Sequence, residues 1–261
     1  MTIFCHEMKR GALALAIWTA AISFMLAVCV FIYPEMAGEM DQISDMFADM
    51  GAFSDAFGMD QLNFGEFMGY FGIECGNTLG IGGALFAAIL GISMLSKEEK
   101  DGTADFLFSH PVSRSRVLGQ KLLSMLCSLF ILNVTVAFSC ILSALIINVD
   151  ADIPKLLLMF LAYFLLQVEI AAITFGISAF LRHGGLGIGL GLALLFYFMN
   201  IASNLMEELE FLKFLTPYGY ADGGSVINNG SIELKYLLTG ALFTAIGLFS
   251  AFKRYTSKDL S

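Results

Sequence analysis

The chain has 261 residues, 57% of them hydrophobic and 14% charged, whereas a soluble domain is about half apolar and a quarter charged. A soluble enzyme is excluded, and an all-α polytopic membrane protein is expected. The net charge of −9 is uninformative about nucleic acid, because the acids cluster in the segments expected outside; no nucleic-acid partner is expected of such a chain.

Six apolar runs approach or exceed the roughly 20 residues that cross a bilayer: about 11–33, 71–96, 122–148, 156–181, 185–205 and 234–252. Runs this long exclude a barrel and leave helices as the spanning elements. Together they predict a single transmembrane domain over 1–261. Before the first run, Met1 to Arg10 mixes Ile3 and Phe4 with His6, Glu7, Lys9 and Arg10. This suits an N-terminal interfacial helix lying on the membrane surface, with a frayed terminus as the plain alternative. The run Gly11 to Tyr33 is too long for a cleaved signal, and no small-x-small site follows it.

The next segment, 34–70, is expected outside the cell. From Pro34 to Glu74 it carries Glu35, Glu39, Asp41, Asp45, Asp49, Asp55, Asp60, Glu66 and Glu74, with no Lys or Arg. Met36, Met40, Ile43, Phe47 and Met50 recur at spacings of four and three, the pattern of an amphipathic helix. Asp41, Asp45 and Asp49 form a like-charge stripe that disfavours an isolated helix. Its apolar face would therefore dock on the bilayer or the outer mouth; a solvated acidic loop is the alternative. In the second span Gly72, Gly76, Gly80 and Ala84 recur every fourth position, which lets helices approach closely in lipid.

Between the second and third runs lies KEEKDGTADFLFSHPVSRSRVLGQK, Lys97 to Lys121, a dense mixture of both charge signs. Gly102 breaks the preceding helix, and Thr103 caps a new short one. Phe106, Leu107 and Phe108 give that helix apolar anchors. Pro111 ends it, and Ser113 caps the third span. The stretch reads as a short cytoplasmic helix on which another protein pushes.

Glu169, in LLQVEIAAI, is an acid deep inside a span. It is either a functional group on the transport path or a structural hydrogen-bonding group. The fifth span opens GGLGIGLGLA, with the pairs Gly185/Gly189 and Gly187/Gly191. No strand precedes this glycine run, so close helix packing is expected rather than a dinucleotide loop. Asn204 to Glu233 is a second outside segment, punctuated by Pro217 and Gly223-Gly224, with a short surface helix over Met206 to Leu215.

With six alternating spans, Lys9, Arg10, Lys97, Lys100, Arg114, Arg116, Lys121, Arg182, Lys253, Arg254 and Lys258 fall on one side. Lys155, Lys213 and Lys235 fall on the other. The bias places both termini in the cytoplasm. Cys5, Cys29, Cys75, Cys127 and Cys140 form no CxxC pair and read as free, buried thiols.

No GxxxxGK[ST] pattern occurs, so ATP-driven work would need an ATPase on another chain. The stretch EEKDGTADFLFSHPVSRSRVLGQK resembles the signature of type-2 ABC transporter permeases. The matching residues are Glu98, Glu99, Gly102, Thr103, Asp105, Leu107, Pro111, Val112, Ser113, Arg114 and Lys121. The layout resembles that family as well, including Leu215-Thr216-Pro217 before the last span and Lys258-Asp259 near the end. The resemblance implies a bacterial plasma-membrane permease whose coupling helix docks into a separate ABC ATPase subunit. Glu98, Glu99, Asp101, Gly102, Thr103, Asp105, Phe106, Leu107 and Arg114 would make that contact. It further implies a second permease chain as partner, with ATP and Mg held by the ATPase and no cofactor on this chain. The long acidic outer segment departs from simpler members.

Three rivals stand beside this reading. One is a non-transporting immunity or signalling subunit of a similar complex. Another is an ion-coupled secondary carrier using Glu169, a class that usually shows inverted repeats and helices broken at mid-membrane, and the sequence shows no repeat. The third is a CAAX-type membrane protease, which Glu98-Glu99 and Phe106-x-x-x-His110 resemble. Thr103 replaces the arginine expected there, the two fragments are too close to sit on separate spans, and His6 and His183 supply no third motif. For the permease, the apolar spans, the Met- and Phe-rich outer segment and its acids favour export of an amphipathic, hydrophobic or lipid-like cargo, a cationic peptide included.

Overall fold

The computed structural model describes residues 2–37, 56, 66–100, 113–181 and 184–257, with the backbone alone for 98–100. These residues are helical almost throughout, and among them there is no strand. Helix α1 spans Thr2–Met36. Helix α2, Phe67–Cys75, runs through a π-helical stretch, Gly76–Ile81, into α3, Gly82–Lys100. Then come α4, Arg114–Ile146, α5, Ile153–Ser178, and α6, Leu186–Leu205. Two 3-10 segments follow, Glu207–Phe214 and Pro217–Gly219, then the short α7, Gly223–Asn229, and α8, Leu234–Ser257. Among the described residues, six helical units are long and apolar enough to cross a membrane: α1, Phe67–Lys97, α4, α5, α6 and α8. Each coincides with one of the six runs in the sequence.

Local chemistry explains the ends. Asp152 caps α5, accepting from the Lys155 amide at 3.1 Å, with Pro154 in the first turn. Asn148, at φ 53°, turns the chain between α4 and α5. Ser113 is the N-cap residue of α4, as expected, yet its hydroxyl makes no capping bond; its carbonyl takes the Arg116 and Val117 amides instead. Residues 2–10 do not form a separate interfacial element. They are the first turns of α1, since nothing near Gly11 breaks the helix.

Helix α5 is the centre of the bundle, with α3, α4 and α8 packed around it; α1 lies on α4, and α6 on α3. The closest crossings use glycines. A methyl on Gly91 would overlap the Ala171 carbonyl of α5, and one on Gly247 would sit 2.6 Å from the Ala172 carbonyl, with Gly176 placed reciprocally. In the fifth span, Gly185 and Gly189 face α3, at Ile92 and Ala88, as expected of packing glycines. Gly187 and Gly191 have nothing within 4 Å. Gly76 and Gly80 do not meet a helix backbone; they make room for the rings of Tyr163 and Tyr218.

The segment between α6 and α8 departs from a simple outer loop. Thr216 to Ala221 are all buried. The Tyr218 hydroxyl donates to the Gly80 carbonyl at 3.0 Å, inside the π-helical stretch. Non-helical backbone at such depth is tolerated only when protein covers it, and here α5, α6, α8 and the π-helical stretch do. The five cysteines are free, but burial is confined to Cys75 and Cys140; Cys5 is exposed.

Candidate functional site

Among the described residues, three polar constellations interrupt the apolar bundle. The first lies at the end carrying both chain termini. Glu7 of α1 is ion-paired with Lys97, and with Lys121 of α4 at 3.2 Å. Lys121 is fully buried and also donates to the Met94 carbonyl at 2.7 Å. Two cations around one carboxylate, closed by a carbonyl, satisfy buried charges that would otherwise be costly. Lys97 and Lys121 stand on the two stems of the 101–112 connection, so a single residue of α1 holds both stems. Nearby, the Phe4 amide donates to Gln120 Oε1 at 3.2 Å. Arg114 Nη1 reaches the Tyr255 and Thr256 carbonyls in the last turn of α8, at 3.4 and 3.5 Å, where a cation favours the helix dipole.

The residues expected to contact an ATPase divide accordingly. Arg114 sits against α8. Glu98 and Glu99 are on the last turn of α3. Asp101, Gly102, Thr103, Asp105, Phe106 and Leu107 lie outside the described residues, as do the short helix expected there and most of the acidic segment 34–70. Glu7 was missed by sequence reasoning. A lone acid beside Lys9-Arg10 looks like surface charge, and its partners stand 90 and 114 residues away.

The second constellation is inside the bundle. Glu169 of α5 is buried and accepts from the Tyr220 hydroxyl at 2.8 Å. Gly240 of α8 makes room for it, since a methyl there would overlap the carboxylate and lie 2.9 Å from the Tyr220 ring. Burial pushes the Tyr220 phenol above its ordinary range, so it remains a donor. Two residues earlier on α5, Gln167 accepts from Asn133 Nδ2 of α4 at 2.6 Å. A methyl on Gly83 of α3 would overlap the Gln167 amide. One helix thus carries polar contacts to α4 and to the buried 216–221 segment, with α3 packed close beside Gln167. Only Glu169 was singled out from the sequence; Gln167, Asn133 and Tyr220 looked like ordinary polar residues.

The third is a cavity of about 50 Å³ at the end opposite the termini, among α2, the π-helical stretch, α5, α6 and the start of α7. Asn77, Tyr163, Tyr197, Asn200 and Asp222 give it a polar wall.

The family described as ABC-2 family transporter protein matches residues 1–260. No curated protein matches the chain.

Proposed function

We propose that this chain, which belongs to the ABC-2 transporter family, is the permease of an ATP-driven exporter for an amphipathic or hydrophobic cargo. Its multi-pass helical domain is the membrane part, forming one unit over 1–261. A separate ABC ATPase holds ATP and Mg and docks on Glu98, Glu99, Asp101, Gly102, Thr103, Asp105, Phe106, Leu107 and Arg114. A second permease chain completes the transporter. The end carrying both termini faces the cytoplasm of a bacterial cell, in keeping with its basic residues.

The observation that carries the reading is the ion cluster Glu7–Lys97–Lys121. A push on the 101–112 connection moves two stems at once. Glu7 ties both stems to α1, and Arg114 ties the start of α4 to α8, so the push spreads to four spanning helices. Glu169, buried between α5, α8 and the re-entrant segment, sits where such a movement would be felt in the bundle. The acids from Glu35 to Glu74 would concentrate a cationic amphipathic cargo at the outer mouth, an effect that salt screens.

Co-expression with the ATPase tests the docking role. Phe106→Ala should remove an anchor worth about 2 kcal/mol, weakening co-purification and stimulation of ATP hydrolysis. Unchanged complex and unchanged stimulation would overturn it. For cargo, Asp41, Asp45 and Asp49 are replaced together by Asn. Export of a cationic amphipathic peptide should fall relative to a neutral one; equal behaviour toward both removes the acidic face from cargo choice.

A further inference from the structure

Helix α6 packs on α3 and touches α5 and α8 little. The last two meet backbone to backbone: a Cβ on Gly176 would lie 2.6 Å from the Gly247 carbonyl. A gap therefore runs between α6 and the α5–α8 pair. In the half away from the termini, the 207–221 segment fills it. Phe214 meets Tyr236 of α8 edge-on, with ring centroids 4.7 Å apart. The Thr216 hydroxyl donates to the Phe196 carbonyl, halfway along α6, at 2.9 Å. Toward the termini the gap stays open among the described residues. It forms a groove of about 450 Å³, lined by Ile173, Ile177 and Phe180 of α5, Phe196 of α6, and Phe243 and Ile246 of α8.

The walls and the two ends say what fits. Among the described residues, the lining has one polar side chain, Ser250, and its hydroxyl already donates to the Gly247 carbonyl at 2.8 Å. Phe180 and Ile246 are exposed, so the groove opens sideways to the bilayer and takes hydrocarbon. Leu215 and Phe196 stand at its deep end. From Phe243 to Arg254, α8 rises about 16 Å, close to half of the roughly 30 Å hydrocarbon core. The groove is thus one leaflet deep. A spanning helix of a second copy would need a trough through the whole membrane, whereas an acyl chain needs only this half. At the open end, one turn past Ser250, stands Arg254. It is exposed, its guanidinium lies 5.8 Å from the Phe180 ring centroid, and Lys253 beside it is exposed too. Among the described residues Arg254 has no ion pair. An apolar slot one leaflet deep that ends in a cation at the membrane surface matches a phospholipid, tail inward and phosphate at the cation.

We propose that this groove is a selective site for an anionic glycerophospholipid of the leaflet on the side of the chain termini. One acyl chain lies between α5, α6 and α8, and the headgroup phosphate sits at Arg254. A net negative headgroup is favoured over phosphatidylcholine, whose own choline cation offsets the attraction. The site shares no residue with the Glu7–Lys97–Lys121 cluster or with the expected ATPase contacts, and it depends neither on ATP-driven transport nor on the cargo.

The full-length protein, delipidated in dodecyl maltoside, is titrated with phosphatidylglycerol, with phosphatidylcholine of the same acyl chains, and with water-soluble glycerophosphoglycerol. Its thermal midpoint and particle mass are followed. Phosphatidylglycerol should raise the midpoint saturably, phosphatidylcholine only at about tenfold higher concentration, and the tail-less headgroup not at all. Arg254→Gln should weaken phosphatidylglycerol about tenfold, to the phosphatidylcholine level, as loss of a bond to a charged group predicts. Arg254 is exposed at a helix end, so this variant keeps the fold and carries the test by itself if the next one does not. Ile246→Trp places a large ring in the groove from an exposed position and should weaken both lipids. Equal affinity for the two lipids would overturn the proposal, leaving unselective boundary lipid. So would a phosphatidylglycerol affinity that Arg254→Gln leaves unmoved. A particle mass that falls with Ile246→Trp at unchanged lipid affinity would also overturn it and make the groove an interface with a second copy of the chain.

Discussion

Tyr220 donates its hydroxyl to Glu169 at 2.8 Å, joining the re-entrant segment between the last two spans to the interior of the central helix. The pairing makes the two side chains unequal under mutation. Tyr220→Phe leaves a buried carboxylate oxygen without its donor and should cost about 1–3 kcal/mol. Glu169→Gln keeps an acceptor for Tyr220 and removes only the charge, so it should fold with smaller loss. Thermal unfolding of the two variants in the same detergent checks the order. If the charge serves transport, Glu169→Gln will export more slowly at near-parental stability; parental export would make Glu169 a structural residue.

Glycine at the helix crossings gives a sharper contrast. Gly247 faces the Ala172 carbonyl at a distance that no Cβ can share, whereas Gly187 faces open space. Gly247→Ala should destabilise by about 1–3 kcal/mol through overpacking. Gly187→Ala should be neutral or stabilise by up to about 1 kcal/mol, since alanine is the better helix former. Equal unfolding midpoints for the two variants would contradict the α5–α8 crossing.

The six spans were legible because apolar length is a local property: each run is written in consecutive residues. Fixed spacing was less informative. Gly185/Gly189 and Gly187/Gly191 are equivalent patterns in the sequence, yet the first pair meets α3 and the second meets nothing described. Which face of a helix finds a neighbour depends on the other helices. The site residues were least legible for the same reason. Glu169 stood out because an acid in an apolar run is costly anywhere, but Tyr220 is 51 positions away. Its segment reads as an outer loop, since Pro217 and the Gly223-Gly224 pair look like turn chemistry whether a loop lies on the surface or folds into the bundle.

Orientation admits a direct test. With native cysteines removed, single cysteines placed near Asp49 and at the exposed Asn229 should react with a membrane-impermeant thiol reagent applied to intact cells. A cysteine near Asp101 should react only after the membrane is opened. Labelling at Asp101 from outside would invert the topology and remove the ATPase-docking role of the 98–121 region with it.

The ion cluster permits a thermodynamic cycle that separates holding the fold from transmitting force. Lys121 is fully buried, so Lys121→Met leaves Glu7 paired with Lys97 alone and should cost about 3 kcal/mol, the scale of breaking a buried pair. Glu7→Gln leaves two cations facing a neutral amide and should cost a similar amount. Glu7→Gln combined with Lys121→Met removes one charge of each sign, and its cost should fall short of the sum by at least about 1 kcal/mol. Lys97 keeps 17% of its side chain exposed, so Lys97→Met should cost less than Lys121→Met, because water can take over part of its partner's solvation. Each variant is then assayed with the ATPase bound. If the cluster carries the push from the 101–112 connection to α1, the double variant will hydrolyse ATP while exporting little, even where its stability is restored. Export that tracks stability alone across the cycle would reduce Glu7, Lys97 and Lys121 to a structural clamp.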